Sequence, residues 1–351
     1  MQAKRIAIYP GDGIGIEVTS EVVKVLEALM KKVGIPLELT EFDWGERYWR
    51  THGKIAPDDY LEQLRTFDAI FLGALGDPEN VPDHISLIPL IGMRQGFDQY
   101  ACVRPARLLP GLKTPLSDKV ESQIDLMIVR ENSEGEYIDA GGFLRPDAED
   151  GTAVQVALHS RKGVERILRY GFEFARKRRR KLTMATKSNA LKYGMVFWDQ
   201  VFEKIAPQYP DVESEKCHVD ALAMNFVRCP EAYDVVVASN LFGDILSDIG
   251  GTISGGLGLA PSANINPQGT APSLFEPVHG SAPDIKGKGL ANPIAAIRSA
   301  AMMLDFLGFQ DAATSVDTAV ETVLRAGQVR TPDIGGSATT TQLGDSIIEA
   351  L

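Results

Sequence analysis

The 351-residue sequence has 44% hydrophobic and 24% charged residues, the proportions of an ordinary globular protein. A chain of this length exceeds the size at which one hydrophobic core usually keeps growing, so we expect two domains. Its 36 Lys and Arg residues against 47 Asp and Glu residues give a net charge of −11, which disfavours nucleic acid or an anionic membrane as a general partner.

The cysteines and the N-terminal segment favour a reducing compartment. Cys102, Cys217 and Cys229 are odd in number and lack CxxC or Cys/His ligand spacing, which argues against a disulfide framework and a zinc site. The apolar stretch at residues 6–9 is too short for a signal peptide, and no apolar run is long enough to span a bilayer. We therefore expect a cytoplasmic protein.

Strand and helix patterns alternate over the first part of the chain. Strands are predicted at residues 5–9, 37–42 and 69–73, and helices at residues 17–32 and 57–65. This alternation predicts an α/β domain with a largely parallel sheet. The glycine turn at residues 10–15 does not match the dinucleotide-binding fingerprint, because the third glycine of that motif would fall at Ile16. We interpret the turn as structural.

Three arginines lie near the ends of separate predicted elements. Arg94 follows Leu90 by one turn in a helix that begins near Pro89. Arg104 lies in the segment 102–105, and Arg130 follows a predicted strand at residues 126–129. Each arginine taken alone fits scattered surface charge equally well.

The middle of the chain combines a change of pattern with a basic run. Residues 135–159 show short alternating strands separated by Gly, Pro and acidic turns, which indicates an arm or hairpin. A helix from residue 163 to about 178 ends in the basic run at residues 176–181. Such a run can bind nucleic acid, but cations at a helix C-terminus also complement the helix dipole. The acidic balance of the whole chain favours the second interpretation.

Further strand and helix signals lead to the stretch at residues 233–248. A strand is predicted at residues 182–186, a helix at residues 197–205, and another helix that carries Asp220 near its start. Four apolar residues then follow Asp234 and predict a fully buried strand, after which a helix begins. Asp244 and Asp248 lie one turn apart on that helix. Their spacing fits either a solvated surface or a site for a hard divalent cation such as Mg²⁺ or Mn²⁺.

The remaining sequence contains loops and apolar helices. Residues 250–258 are rich in glycine, and residues 276–285 are predicted to form a polar loop. Helices are predicted at residues 293–307 and 315–326 and from about residue 341.

Several blocks, in order, resemble one known family over almost the whole chain. They are residues 11–15 (GDGIG), 130–132 (REN), 187–189 (KSN), 240–248 (NLFGDILSD) and 279–284 (HGSAPD). The chain is similar to the metal-dependent β-decarboxylating hydroxyacid dehydrogenases, which include isocitrate, isopropylmalate, homoisocitrate and tartrate/D-malate dehydrogenases. The resemblance implies an enzyme.

The resemblance also implies the architecture. We expect the two-domain isocitrate/isopropylmalate dehydrogenase-like α/β fold, not a Rossmann fold, with a large mixed sheet shared by both domains. Residues 1–99 and 251–351 would form a large domain with most of the NAD site. Residues 100–250 would form a small domain with the metal ligands, a dimer-forming arm and the dimer interface. The expected assembly is a homodimer with an active site shared between the subunits.

The family pattern assigns roles to residues of this sequence. Asp244 and Asp248 would bind Mg²⁺ or Mn²⁺ together with Asp220 of the partner subunit, and K⁺ is a further expected cofactor. Lys187 and Tyr137 would be catalytic, Lys187 in removal of the hydroxyl proton and Tyr137 as the acid that protonates the enolate carbon. The residues expected to bind substrate are Leu90, Arg94, Arg104, Arg130 and Asp220.

The same pattern predicts NAD as the nucleotide. An acid at Asp284 favours a ribose with free hydroxyls and repels a 2′-phosphate. Relatives that use NADP carry a lysine and a tyrosine where this chain has Asp284 and Ile285. The expected cofactor-binding residues are Gly73, Ala74, His279, Gly280, Ser281, Ala282, Pro283, Asp284, Ile285 and Asn292.

The identity of the expected substrate depends on the chemical group that it carries at its C3 atom. Ile88, Leu90 and Ile91 predict an apolar wall beside Arg94, which would desolvate a third carboxylate without giving it a partner. The loop at residues 77–87 resembles the tartrate/D-malate branch, although Ile88 stands where that branch has Trp. We therefore expect NAD-dependent oxidative decarboxylation of D-malate to pyruvate and CO₂, oxidation or decarboxylation of tartrate, or both. The alternatives are 3-isopropylmalate dehydrogenase and a non-catalytic regulatory subunit.

Overall fold

Ten strands form one mixed sheet in the computed structural model, which describes residues 3–351. The strands in chain order are β1 Lys4–Gly11, β2 Leu37–Glu41, β3 Ala69–Ala74, β4 Ala101–Arg107, β5 Asp125–Glu131, β6 Gly141–Leu144, β7 Thr152–Gln155, β8 Lys181–Thr186, β9 Glu213–His218, β10 Val235–Ala238, β11 Pro261–Ile265 and β12 Ser273–Pro277. Strands β6 and β7 pair with each other outside the large sheet.

Helices connect and cover these strands. They are α1 Ile14–Val33, α2 Glu46–His52, α3 Tyr60–Leu64, α4 Asp83–Ser86, α5 Ile88–Gly96, α6 Arg161–Arg176, α7 Gly194–Ile205, α8 Val219–Arg228, α9 Asn240–Ile253, α10 Ile294–Phe306, α11 Gln310–Ala326 and α12 Thr340–Ala350. Short 3₁₀ turns lie at Glu121–Gln123, Ala206–Gln208, Pro230–Ala232, Leu257–Leu259 and Pro332–Ile334. Within the described residues, no helix combines the length and apolarity needed to cross a membrane.

The strand order is β2-β1-β3-β12-β11-β4-β5-β10-β8-β9. The three pairings at the centre, β12 with β11, β11 with β4, and β4 with β5, are antiparallel, and the outer pairings are parallel. The parallel pairs predicted from the alternating pattern are therefore present on both sides, and the mixed sheet is confirmed. Because the centre is antiparallel, β12 and β5 run in opposite directions across the middle of the sheet.

Both faces of the sheet are covered by apolar side chains. In β1, Ile6 and Ile8 pack in the core that contains α1, whereas Ala7 and Tyr9 pack in a second cluster with Trp44. This alternation follows from the two-residue period of a strand. Because both faces of the sheet are buried, the sequences of the buried strands are continuous apolar runs.

Several predicted boundaries need correction. Helix α1 begins at Ile14 rather than residue 17, because Gly13, with φ 58°, ends the turn in a conformation suited to glycine. Helix α6 begins at Arg161, where Ser160 accepts a hydrogen bond from the Gly163 N–H, and it ends at Arg176 rather than residue 178. Glu276 and Pro277, predicted to lie in a loop, belong to β12.

The predicted arm and the basic run are both present. Strands β6 and β7 form an exposed antiparallel hairpin. The basic run is taken up by acids of the same chain: Arg176 pairs with Asp211, and Arg178 pairs with Asp125 and Asp234. These ion pairs neutralise part of the positive charge of the run within the chain itself.

Candidate active site

Helix α9 places two carboxylates directly after the buried strand β10. All residues of β10 are buried, and α9 begins immediately after Ser239. Gly243 lets the helix lie close to β5, because a Cβ atom there would come within 2.6 Å of the Arg130 Cβ. Asp244 and Asp248 follow one turn apart on the helix, as their spacing predicts.

Asp244 accepts hydrogen bonds from three side chains. Arg104 Nη1 donates to Asp244 Oδ1 at 3.2 Å, and Arg130 Nη1 donates to the same oxygen. The Tyr137 hydroxyl donates to Oδ2 at 2.8 Å. Burial by itself raises the pKa of Asp244, but Arg130, Arg104 and the Tyr137 hydrogen bond outweigh it and hold that pKa below its ordinary value.

Asp248 has a different environment on the same helix. Its side chain is more exposed, and no group in residues 3–351 donates a hydrogen bond to its carboxylate. Burial of part of the carboxyl group raises the pKa of Asp248, and the negative charge of Asp244 adds to this effect. A divalent cation bound by carboxylate oxygens relieves this repulsion, so the donor set fits Mg²⁺ or Mn²⁺.

Arg104 and Arg130 project from adjacent antiparallel strands. Cys102 lies opposite Arg130, and Arg104 is two residues further along β4, so both guanidinium groups leave the same face of the sheet. Arg104 Nη1 also donates to Ser247 Oγ at 2.7 Å, and Arg130 Nε donates to Asn240 Oδ1 at 2.8 Å. Both side chains are buried, which fixes the direction of their remaining N–H groups.

Arg94 is held by a buried acid from the centre of the sheet. Arg94 Nη2 donates to Glu276 Oε1 at 3.0 Å, and the side chains are 8% and 9% exposed. Asn264 Nδ2 donates to the same Glu276 oxygen at 2.8 Å. A charged pair buried to this degree needs such additional hydrogen bonds to be tolerated.

The charges of the cluster balance. Three arginines, Arg94, Arg104 and Arg130, lie among three carboxylates, those of Glu276, Asp244 and Asp248. A divalent cation and a dicarboxylate dianion also cancel each other, so together they enter the site without adding net charge. Burying either one alone would leave an uncompensated charge, which is costly.

Lys187 and Asp220 come together elsewhere on the chain. Lys187 Nζ lies 2.8 Å from Asp220 Oδ1, and this hydrogen bond lowers the pKa of the exposed Asp220 carboxyl. Among residues 3–351, no three His, Cys, Asp or Glu side chains are placed to hold one metal ion. A single protomer therefore presents Asp244 and Asp248 as one pair and Asp220 separately.

The apolar residues of helix α5 differ in their exposure to solvent. Leu90 and Arg94 are both buried, as their shared face predicts, and Leu90 packs in the cluster with Met93 and Phe97. Ile88 is 52% exposed at the start of the helix. Of the expected apolar wall, Ile88 is thus the most accessible member.

The expected cofactor residues lie at the end of β3, in the loop after β12 and before α10. Gly73 and Ala74 end β3, and a Cβ atom on Gly73 would come within 2.3 Å of the Pro10 carbonyl oxygen. The Ile14 N–H donates to the Ser281 carbonyl oxygen at 2.8 Å. The glycine turn therefore joins both segments, which agrees with its structural interpretation. The loop contains His279, Gly280, Ser281, Ala282, Pro283, Asp284 and Ile285.

Asp12 ties this turn to two further segments. It accepts hydrogen bonds from the backbone N–H groups of Glu46 at 2.6 Å and Gly76 at 2.9 Å. Burial raises the pKa of Asp12 to about 6, although the Gly76 hydrogen bond opposes the shift.

His279 offers an unused acceptor in the loop. Its Nδ1 lies 2.9 Å from the Gly280 carbonyl oxygen, which can only accept, so Nδ1 carries the hydrogen and Nε2 is the acceptor. Nε2 is buried and has no hydrogen-bond partner within residues 3–351. Burial also lowers the pKa of His279, which keeps the ring neutral. A nucleotide hydroxyl or amino group would satisfy Nε2, so the loop fits a dinucleotide.

The other two polar candidates of this region differ in exposure. Asp284 is exposed, whereas Asn292 is buried and donates to Asp333 Oδ2 at 3.0 Å. The Asn292 side-chain oxygen also accepts a hydrogen bond at 3.0 Å from the N–H of Ile294, the first residue of α10. Asn292 therefore has a structural role of its own.

Sequence reasoning missed five residues that support the site: Glu276, Asn264, Ser262, Ser247 and Asn240. Glu276 was detectable, because an acid directly after Leu274 and Phe275 in a short apolar run needs a buried partner. Asn240 and Ser247 lie in the block 240–248 that resembles the family pattern, whereas Ser262 and Asn264 carry no comparable signal.

Comparisons with known proteins agree with this geometry. Residues 5–347 match the family described as isocitrate/isopropylmalate dehydrogenase. The chain is 51% identical to the D-malate dehydrogenase [decarboxylating] of Escherichia coli K12, with 100% of this chain and 99% of that protein covered. It is 50% identical to the tartrate dehydrogenase/decarboxylase of Pseudomonas putida, with coverages of 99% and 97%.

A solved structure supports the same assignment. The isocitrate dehydrogenase of Methylococcus capsulatus superposes with a TM-score of 0.90 at 38% identity, and the match covers 100% of this chain and 99% of that one. The identity, the coverage and the shared fold lead to one conclusion: the chain belongs to the isocitrate/isopropylmalate dehydrogenase family.

Proposed function

We propose that this chain catalyses the NAD-dependent and divalent-metal-dependent oxidative decarboxylation of D-malate to pyruvate and CO₂, the oxidation or decarboxylation of tartrate, or both. The cluster of Arg94, Arg104 and Arg130 around the carboxylate pair of α9 carries the proposal. The relatives named D-malate dehydrogenase and tartrate dehydrogenase/decarboxylase, at about half identity over the full chain, support the substrate class.

The arginines bind and orient the substrate. Their planar guanidinium groups match carboxylate oxygens in pairs, and burial restricts the directions that their N–H groups can take. The carboxylates of a four-carbon acid would accept hydrogen bonds of the kind that Arg104 and Arg130 give to Asp244 in this structure. This arrangement favours a small dicarboxylic acid over a monocarboxylic one.

Asp244 and Asp248 would hold the divalent cation together with Asp220 of the partner subunit. A cation bound there supplies Lewis-acid stabilisation of negative charge on the C2 oxygen of the substrate. Oxygen ligands of this kind suit both Mg²⁺ and Mn²⁺. We include K⁺ among the cofactors to be tested.

Tyr137 and Lys187 move the protons in the proposal. Burial raises the pKa of Tyr137, and the charge of Asp244 adds to the shift, so the phenol keeps the proton that it gives to the enolate carbon. Lys187 of the partner subunit assists removal of the proton from the C2 hydroxyl. The Lys187–Asp220 ion pair holds the lysine and the third metal ligand beside each other, so both reach the site together.

The loop after β12 selects the nucleotide. The buried His279 Nε2 would accept a hydrogen bond from the adenosine half of NAD, which would supply the hydride acceptor. The exposed Asp284 carboxylate receives the ribose hydroxyls and repels a 2′-phosphate.

A homodimer completes the proposed site. The hairpin exposes Phe143 by 78%, Leu144 by 62% and Val154 by 58%, and α8 and α9 expose Met224 by 49% and Ile245 by 52%. Apolar exposure on the hairpin and on α8 and α9, the helices that carry Asp220 and Asp244, suits burial against a second copy.

We also propose the domain division expected from the sequence. Within the ten-stranded sheet, the strands from residues 1–99 and 251–351 lie together in one half, and those from residues 100–250 lie in the other half. The two halves meet where β11 pairs with β4, beside Arg104, so the substrate lies at the domain junction.

A parallel assay tests the function. NADH formation is measured with D-malate, tartrate, 3-isopropylmalate and isocitrate, each with Mg²⁺ or Mn²⁺, with and without K⁺, and with NADP in place of NAD. We expect D-malate or tartrate with NAD to give a kcat/KM at least about tenfold above the other substrates and above NADP. A preference for 3-isopropylmalate would transfer the assignment to that activity, which the accessible Ile88 would then favour, and equal use of NADP would refute the role of Asp284.

A further inference from the structure

We infer that Asp77 and Lys286 form a latch that positions the cofactor loop, defined as residues 279–289, and thereby sets the affinity for NAD. The inference rests on the proposed function, because it concerns the loop that would bind that nucleotide. It adds a positioning pair outside the residues that the family pattern assigns to the cofactor.

The latch joins two segments that are far apart in sequence. Lys286 Nζ lies 3.1 Å from Asp77 Oδ2, and Asp77 belongs to the segment that follows β3. The Asp77 side chain is 6% exposed and the Lys286 side chain 41%. The contact therefore lies at the protein surface but has one buried partner.

Asp77 is the fixed end of the latch. Its carboxylate also accepts a hydrogen bond from Asn80 Nδ2 at 3.0 Å. Its carbonyl oxygen accepts from the N–H groups of Asn80 at 3.0 Å and Val81 at 2.7 Å. These bonds hold Asp77 in its own turn whether or not Lys286 is present, so the ion pair restrains the cofactor loop rather than Asp77.

The loop has further anchors on both sides of Lys286, and Ala282 and Ile285 pack against the main core, so Lys286 adds the link to the segment after β3. Ser281 is held by the Ile14 N–H, and Glu17 accepts from the N–H groups of Gly287 at 2.6 Å and Gly289 at 3.1 Å. A Cβ atom on Gly287 or Gly289 would meet no atom within 4 Å, so packing does not restrain that end. Asp284 lies between these anchors, directly before Ile285 and the latch.

A loop that is ordered before the nucleotide arrives loses less conformational entropy on binding. Breaking the latch should therefore weaken binding of NAD without altering the arginines that bind the substrate. Lys288 provides a matched control in the same loop, because its Nζ donates only to the neighbouring Asp284 carbonyl oxygen at 2.7 Å and reaches no other segment.

The experiment compares Asp77→Asn, Lys286→Met, the double variant and Lys288→Met in the full-length protein. We expect each single variant of the latch to raise the Kd for NADH, measured by fluorescence, about five- to tenfold. The double variant should match the single variants, since both remove one interaction. The KM for D-malate should change less than about twofold in all variants, and Lys288→Met should bind NADH within about twofold of the unaltered protein.

Hydrogen exchange gives a second readout without nucleotide. The amides of Gly287 and Gly289 should exchange faster in Asp77→Asn and Lys286→Met than in Lys288→Met. Unchanged NADH affinity, additive effects in the double variant, or an equal rise in the KM for D-malate would overturn the inference. If the unaltered protein bound no NADH, the proposed function would fail and this inference with it, whereas normal binding that is insensitive to the latch would refute this inference alone.

Discussion

Replacing Asp244 and Asp248 separately with Asn should separate two roles of helix α9, which are metal binding and neutralisation of the buried arginines. Asp244 is the counter-charge of two buried arginines, whereas Asp248 contacts neither by a hydrogen bond. We expect both substitutions to abolish binding of Mn²⁺, and only Asp244→Asn to destabilise the protein.

The structure sets the size of this difference. Removing one partner of a buried ion pair costs about 3–5 kcal/mol. Asn at position 244 keeps one oxygen acceptor, and Arg104 and Arg130 keep their bonds to Ser247 and Asn240, so we expect about 2–3 kcal/mol for Asp244→Asn. For a chain of 351 residues this lowers the unfolding midpoint by about 3–4 °C. Asp248→Asn removes a like charge near Asp244 and should change the midpoint by less than about 1 °C.

Thermal unfolding of the three proteins, alone and with Mn²⁺ or tartrate, is the assay. Mn²⁺ should raise the midpoint of the unaltered protein and leave both variants unchanged. Tartrate without metal should raise the midpoint of Asp244→Asn more than that of the unaltered protein, because its arginines have lost a carboxylate that tartrate can replace. Asp248→Asn is the control for loss of metal binding with the arginine contacts intact.

Two results would refute this reasoning. If Asp248→Asn were as destabilised as Asp244→Asn, the arginine contacts of Asp244 would not be the source of the effect. A midpoint of Asp244→Asn that rises with Mn²⁺ as in the unaltered protein would remove Asp244 from the metal site.

Two further predictions concern pH and assembly. Because burial raises the pKa of Asp12 from 3.8 to about 6, its contribution to stability is fully present below pH 3.8 and is lost as pH rises through 6. Relative to Asp12→Asn, the free energy of unfolding should therefore fall on the order of 3 kcal/mol between pH 4 and pH 7 in urea titrations, and a parallel pH profile would contradict the shift. Tyr137→Phe and Lys187→Ala should each be nearly inactive alone. When the two variants are mixed and refolded, activity should recover to about a quarter of the full value, because half of the dimers then contain one intact shared site. No recovery would argue for a site within one subunit.

The sequence predicted the elements whose burial follows a simple period. Strand β10 and helix α9 are one example, since four apolar residues followed by an amphipathic pattern allow few other structures. Strands β4 and β9 were not predicted, because their sequences lack a simple apolar period. Strand β4 contains two arginines and a proline, and the edge strand β9 is almost entirely polar. Their pairing is decided by neighbours distant in sequence, which no local pattern contains.

The sequence suggested candidate site residues, whose roles stay predictions, but not the contacts between them. Spacing placed Asp244 and Asp248 on one helix face. The sequence also predicted three arginines near the ends of elements, which holds for Arg94 and Arg130, whereas Arg104 lies in the middle of β4. The sequence could not show that Arg104 and Arg130 both converge on Asp244, because that contact joins residues 140 and 114 positions apart. The register of β4 with β5 creates it, and neither strand signals that register alone.

The contacts of Asp244 couple the binding of the metal ion to the binding of the substrate. In the structure its Oδ1 is engaged by two guanidinium groups and its Oδ2 by Tyr137, so a cation that binds Asp244 competes with those donors. The donors released from Asp244 are the ones that a substrate carboxylate needs, and the substrate in turn neutralises the arginines that would repel the cation. Each ligand therefore favours the other, and by thermodynamic linkage the coupling is the same in both directions. We accordingly expect metal and dicarboxylate to bind more tightly together than either does alone, without any change in the sheet that holds the arginines.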